Sequence, residues 1–222
     1  LMNPDVEFYP VVDQDSLFLV DGARDVSMYN VEQGESVWRI SEPSDILYPP
    51  IIQNHYLVLS TLYEGNRKFG MLKVLDRKTG DQVWFFKDPV ASFHFLAPPS
   101  ITGDRVIVYG QINENGDYRN RDPLAVLYAF DIRSGKKIWR QVVDRGSQLS
   151  AVRPIVTDNY AFVNSAEYGL LAIDVVTGEK LMLHGEDSLD SDKRDVRDFY
   201  LYDDLVITCE FRDGNYMLVC QR

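Results

Sequence analysis

Cysteine, histidine and positive charge are all scarce in this chain of 222 residues, and each scarcity narrows the chemistry open to it. Lysine and arginine number 23 against 34 aspartates and glutamates, a formal net charge of −11 that repels phosphate backbones and anionic headgroups. Nucleic acid is therefore not an expected partner. Long apolar runs are missing too: stretches such as Tyr56 to Leu62 are strand-sized, far short of the roughly 20 residues a membrane helix needs, so no membrane-spanning segment is expected. The three histidines, His55, His94 and His184, stand apart, none with a second His, Cys or carboxylate at metal-ligand spacing, and are expected to be packing or loop residues. No GxSxG elbow, P-loop or CxxC occurs, and no Ser/His/Asp set can be nominated, so hydrolytic catalysis has no support.

The two cysteines, Cys209 and Cys220, flank Asp213-Gly214, a dipeptide that favours a tight hairpin. A two-residue turn sets Cys209 opposite Leu218 and leaves the thiols diagonal, whereas a four-residue loop sets them face to face. Free thiols are expected, and the redox compartment stays open. No leader peptide is legible after Leu1, so the sequence is expected to begin downstream of its natural start. Hydrophobic residues make up 45%, ample for a packed core in one sizeable all-β domain or two small ones.

What is present is a repeat. Four segments share an ending: MYNVEQGESVWR from Met28, LKVLDRKTGDQVWF from Leu72, LYAFDIRSGKKIWR from Leu127 and LLAIDVVTGEKLML from Leu170. Each runs through apolar alternation to Asp or Asn, then a turn closing on Gly, then polar residues and, in the first three, Trp. The glycines Gly34, Gly80, Gly135 and Gly178 are spaced by 46, 55 and 43 residues, the period of a propeller or similar array. Upstream of each ending lies a proline, a short apolar strand, turn-forming residues and a second apolar strand, starting at Pro10, Pro50, Pro99 and Pro154. Tyr200 opens a fifth copy with tyrosine in the place of proline.

Each unit reads as four short antiparallel strands of period two, and no amphipathic helix is evident. The turn glycines supply positive φ where two strands reverse. Trp38, Trp84 and Trp139 fall at one place in three units, where a large ring on the outer strand packs on the neighbouring blade; truncating one should cost roughly 3–5 kcal/mol. The fourth unit has Leu181-Met182 instead and is atypical.

These endings resemble the repeat of quinoprotein-like, or pyrroloquinoline-quinone-repeat, β-propellers, whose blades typically close on LYALDAxTGKxxW; LYAFDIRSGKKIWR is near to that form. The resemblance covers nearly the whole chain and implies an all-β propeller of four-stranded antiparallel blades, about five here, at approximately residues 7–41, 46–88, 95–144, 150–184 and 197–222. The chain stops at Arg222, where a Thr-Gly turn and fourth strand of unit five are due, so it is expected to be part of a larger, seven- or eight-bladed propeller. The family includes pyrroloquinoline quinone dehydrogenases and the propeller lipoprotein of the outer-membrane β-barrel assembly machinery, so the fold carries unlike functions.

Two polar insertions interrupt the repeat, NENGDYRNRD from Asn113 to Asp122 and EDSLDSDKRDVRD from Glu186 to Asp198. Their oxygen-rich residues, Asn113, Asn115, Asp117 and Asp122 in the first and Asp187, Asp190 and Asp192 in the second, suggest Ca²⁺ ligands, but neither follows the spacing of a Ca²⁺ loop. Solvated loops are expected, and long loops on a rigid scaffold are where a partner would bind. A quinone cofactor would, by the resemblance, want a central funnel with Ca²⁺, an aspartate base and a vicinal disulfide; no adjacent cysteine pair exists and no aspartate stands out as base. The expectation is a non-catalytic propeller without cofactor, presenting loops and blade edges to a protein partner or to the remainder of a longer chain. By the resemblance it works in the periplasm or cell envelope. The alternatives are part of a quinoprotein dehydrogenase and a propeller that binds a small ligand or carbohydrate.

Overall fold

The second and third sheets of this chain bury both of their faces, and alternate side chains of one strand go to different neighbours. The computed structural model describes residues 10–64, 68–88, 92–113, 123–146, 153–165, 169–182, 195–202, 205–212 and 215–221, all strand, turn or irregular backbone with no helix. The first sheet is β1 (Val11–Asp13), β2 (Ser16–Asp21), β3 (Asp25–Asn30) and β4 (Ser36–Ser41), paired in sequence order. The second holds β5 (Asp45–Ile46), β6 (Ile51–Gln53), β7 (Tyr56–Glu64), β8 (Lys68–Asp76) and β9 (Gln82–Phe86). The third holds β10 (Ser92–Phe95), β11 (Ser100–Thr102), β12 (Arg105–Asn113), β13 (Leu124–Asp131) and β14 (Lys137–Arg145). The fourth is β15 (Ile155–Val156), β16 (Tyr160–Ser165), β17 (Gly169–Asp174) and β18 (Lys180–Met182), and the fifth is β19 (Asp195–Tyr202), β20 (Leu205–Arg212) and β21 (Asn215–Gln221). All pairs are antiparallel meanders, the layout of propeller blades.

Period-two alternation explains the stacking. In β7 and β8, Leu57, Leu59 and Leu75 join Phe18, Val26 and Ile46 in one core, while Val58, Leu72 and Val74 join Val106, Val126 and Phe130 in the next. In β12 and β13 the odd-numbered Ile107, Tyr109, Leu127 and Ala129 turn to the third core, shared with Ala161, Val163 and Leu171 of the fourth sheet. Three apolar layers therefore alternate with the first four sheets, each layer sealed by strands from both sides.

Three details depart from the sequence reading. The innermost strand of the second and third sheets is split: β5 and β6 both pair with β7, and β10 and β11 both pair with β12. The gaps hold Pro49-Pro50 and Pro98-Pro99, whose missing N–H groups cannot continue a ladder. The fifth sheet begins at Asp195, so the insertion expected to run from Glu186 to Asp198 as a solvated loop gives its last four residues to β19, which pairs with β20 from Phe211 down to Leu205. Lastly, Asn113, expected in a solvated loop, ends β12 opposite Ser92 and is buried. Of the two cysteine geometries the first obtains: Cys209 lies opposite Leu218, and its thiol is free.

The outer strands carry a bulge that follows the tryptophan. Met28 pairs with Trp38, Val74 with Trp84 and Ala129 with Trp139, and in each case the next pair skips one residue, Val37, Val83 or Ile138. The extra residue is left unpaired and 42–52% exposed. In the fourth sheet, which has no tryptophan, the ladder runs without a shift through Ala172–Leu181 and Ile173–Lys180.

Candidate functional site

One end of the sheets is built almost wholly from the repeated turns. In the turn after β13 the amide of Gly135 donates to the carbonyl of Asp131 and the Asp131 amide donates to the carbonyl of Lys136; the same two bonds recur about Asn30, Asp76 and Asp174, closing on Gly34, Gly80 and Gly178. A side-chain oxygen then caps the free amides: Asp76 Oδ1 accepts from Lys78 and Thr79, Asp174 Oδ1 from Val176 and Thr177, Asp131 Oδ1 from Ser134, and Asn30 Oδ1 from Gln33. The hydroxyl and amide of Ser134 hold the Asp131 carboxyl below its ordinary value, and the amides of Thr177 and Val176 do the same for Asp174. The three aspartates and the asparagine of the repeat are turn caps, engaged within their own loops.

The residue after each cap ties the turn to its surroundings. The amides of Val31, Arg77, Ile132 and Val175 donate to the carbonyls of Asp15, His55, Asp104 and Asn159, joining the outer turn to the inner turn of the same sheet. The carbonyls of Arg77, Ile132 and Val175 accept the indole N–H of Trp38, Trp84 and Trp139 from the preceding sheet, at 3.0, 2.7 and 3.1 Å. Those rings lie against the glycines three residues on: a Cβ on Gly80, Gly135 or Gly178 would come within 3.0, 2.6 or 2.7 Å of the indole. Gly34 has open space around it and is required only by its φ of +67°.

Between the turns of the first three sheets runs an open cleft of about 1100 Å³. Arg77 anchors it, its guanidinium paired with the Asp13 carboxylate and donating also to the Asp13 carbonyl at 2.9 Å, with the Phe18 ring 5.7 Å away. Lys78, His55 and the exposed pair Arg133–Asp104, 3.2 Å apart, complete a surface of mixed charge. The sequence reading did not single out these residues. Their signal was the pair of positions after the turn aspartate, where the repeat sets no residue type and the second and third units place Arg77-Lys78 and Arg133.

The predicted binding loops sit elsewhere. Asn113 and Leu124, which flank the first insertion, lie at the end of the third sheet opposite the turn cleft, and the second insertion is flanked by Met182, which ends the fourth sheet, and Asp195, which begins the fifth. Asn115, Asp117, Asp122, Asp187, Asp190 and Asp192 are outside the described residues, as is His184. His94 lies in β10 opposite Gln111, and burial holds its imidazole below the usual value. No group of three or more His, Cys, Asp or Glu side chains able to hold a metal occurs among the described residues, and no helix is long and apolar enough to cross a membrane.

Where the innermost strands of the second to fifth sheets converge there is a hollow of about 530 Å³, walled by Ile51, Ile101, Pro154, Ile155, Phe199 and Tyr200. Arg153 is its single charged lining residue among the described residues. The resemblance to quinoprotein-like propellers implies that a quinone would sit in a central funnel lined by most blades, and this hollow between innermost strands is the candidate for it. A planar tricarboxylate with a chelated cation calls for several cationic donors and a carboxylate or two, and one guanidinium on aliphatic walls does not fit it.

The stacked meanders and the tryptophan-to-turn bonds define a pyrroloquinoline-quinone-repeat β-propeller. Residues 3–202 match the family described as outer membrane protein assembly factor BamB, and the chain belongs to that family. Among curated proteins it is similar to tetrathionate hydrolase from Acidithiobacillus ferrooxidans, 26% identical over 187 residues that make up 78% of this chain and 35% of that one. Among solved structures it is similar in fold to the quinohemoprotein alcohol dehydrogenase of Comamonas testosteroni, at a TM-score of 0.60 and 14% identity, covering 97% of this chain and 42% of the enzyme. A europium-containing methanol dehydrogenase superposes at 0.56 with 13% identity over 95% of this chain and 46% of the other. The chain thus spans about a third of the curated relative and under half of these enzymes.

Proposed function

We propose that this chain is a non-catalytic propeller scaffold of the cell envelope that holds a protein partner in the assembly of outer-membrane proteins. The cleft across the turns of the first three sheets carries the reading. It is wide, shallow and of mixed charge, with its floor fixed by backbone hydrogen bonds and by the Arg77–Asp13 clamp, so it offers a rigid surface to a loop or strand of another protein and little enclosure to a small molecule. The match to an outer-membrane assembly family supports the choice of partner. The polar insertions beyond Asn113 and before Asp195 form a second candidate docking zone at the opposite end.

Photo-crosslinking separates the two ends. A crosslinking residue placed at Lys78 in the full-length protein should capture the outer-membrane assembly machinery or its unfolded β-barrel clients, and one at Tyr200, beside the axial hollow, should not. Capture from an insertion and not from Lys78 would move the docking face. Dye reduction with an alcohol or sugar after adding pyrroloquinoline quinone and Ca²⁺ would replace the scaffold reading by the dehydrogenase one.

A further inference from the structure

We propose that a water molecule is locked between the first and second sheets as a fixed part of the fold, held by the hydroxyls of Ser44 and Thr61 and by the ammonium of Lys73. The segment that joins β4 to β5 bends at Pro43 and Ser44, and Glu42, Ser44 and Ile46 are buried along it while Pro43 is exposed. Its backbone is pinned to the first sheet, the amides of Glu42 and Ile46 donating to the carbonyls of Arg24 and Ala23 at 2.8 and 2.7 Å. On its other side β5 pairs with β7, Ile46 opposite Thr61, and β7 pairs with β8, Leu59 opposite Lys73. Thr61 shares the parity of Leu57 and Leu59 and so lies on the face toward the first sheet, diagonal to Lys73, while Ser44 stands two residues before Ile46, the strand partner of Thr61.

The polar groups collected on this face are not satisfied by one another. Ser44 and Thr61 are 1% and 0% exposed, and neither hydroxyl has a hydrogen-bond partner in the protein. The Lys73 ammonium binds the carboxylate of buried Glu42, which uses one of its three N–H donors. Diagonal neighbours on a sheet face stand about 7–8 Å apart at Cα, too far for short hydroxyls to meet directly and within the span of one bridging molecule. That molecule must accept a hydrogen bond from Lys73 and exchange hydrogen bonds with two hydroxyls. A metal cation is repelled by the ammonium and a halide by the Glu42 carboxylate, whereas water offers both donors and acceptors and finds the two to four partners a buried water requires.

The positions equivalent to Glu42 and Lys73 carry no ammonium in the next two seams. Four residues after the tryptophan, Glu42 is replaced by Asp88 and then Val143; three before the turn aspartate, Lys73 is replaced by Tyr128 and then Leu171. Asp88 takes a direct bond from the Tyr128 hydroxyl at 2.9 Å, and Val143 and Leu171 share an apolar core.

A high-resolution crystal structure of the protein should show a fully occupied water within hydrogen-bond distance of Ser44 Oγ and Thr61 Oγ1. The isosteric variant Thr61→Val gives an independent reading in solution. If the water is there, the variant strands it and Tm falls, by about 2–4 °C for a chain of this size. If it is not, removing an unsatisfied hydroxyl leaves Tm unchanged or raises it, which overturns the proposal, as does empty density or a direct Ser44–Thr61 bond. Should the variant not fold, the crystallographic site decides alone.

Discussion

Trp84 donates its indole N–H to the carbonyl of Ile132 across 2.7 Å, and the same ring fills the space where a side chain on Gly135 would stand. Two residues 51 positions apart thereby fit as bolt and socket, Trp84 on the outer strand of one sheet and Gly135 in the turn of the next.

Removing either half should loosen the same joint. Trp84→Ala should lose about 3–5 kcal/mol, the range for deleting a buried aromatic ring, whereas Trp84→Phe keeps most of the apolar contact and gives up the hydrogen bond, about 1 kcal/mol. Gly135→Ala meets two penalties, a φ of +69° and an indole 2.6 Å from the new Cβ, while Gly34→Ala meets only the backbone one. Urea midpoints should therefore rank wild type above Gly34→Ala above Gly135→Ala; equal loss at the two glycines would mean that the ring yields and the socket is not tight.

The bulge that aims the tryptophan offers a second test. Ile138 is the unpaired extra residue between Trp139 and the turn, so deleting it removes the two-against-one step in the ladder. Phe130 then pairs with Lys137 and Ala129 with Trp139 in direct succession, so the register beyond is kept and the local twist of the bulge is lost. Trp139 should pack less well against Gly178, seen as a small red shift of its emission in a background where Trp38 and Trp84 are phenylalanine. An unshifted spectrum would mean that the bulge has no part in aiming the ring.

The repeat was legible because its marks are local: the turn aspartate, the glycine and the tryptophan lie within about a dozen positions of one another, each with a short-range reason to be there. The strand pattern followed from period-two alternation for the same reason. What escaped depended on distant partners. Nothing in the segments about Asp45 and Phe93 says that they pair with the far ends of β7 and β12, since each is a few residues long and cut off by a proline pair. The cleft escaped too, because it is made by residues such as Asp13 and Arg77, 64 positions apart, at places where the repeat tolerates any side chain. Asn113 misled because its composition is that of a loop while its position is the last rung of a ladder.

The graded seam predicts how each interface answers to substitution. Glu42 and Lys73 form a pair shielded from water between the first two sheets, so Lys73→Leu alone leaves a buried carboxylate without its cation and should cost about 3–5 kcal/mol. The double variant Glu42→Val with Lys73→Leu copies the chemistry of Val143 and Leu171 two sheets on, and should recover most of that loss. A double-mutant cycle by urea unfolding measures the coupling. Additive losses would show the pair to be solvated and of little consequence to the joint.

Acid should loosen the molecule in two stages with different owners. Burial holds the His94 imidazole below its ordinary 6.5, so as pH falls the unfolded chain takes up that proton first; the stabilisation is complete above about 6.5 and is lost as pH drops through the folded value. The carboxyls of Asp131 and Asp174 are likewise held below 3.8 by their turn bonds, so their contribution is intact above that value and disappears only below it. Thermal melts across this range should therefore decline gently from near neutrality and steeply at the acid end. His94→Gln should flatten the first decline between about pH 7 and 5 and leave the second in place, whereas Asp131→Asn should blunt only the second. If the glutamine variant kept the full slope near neutrality, the proton taken up there would belong to another group, and the burial of His94 in the third sheet would have no part in the pH response.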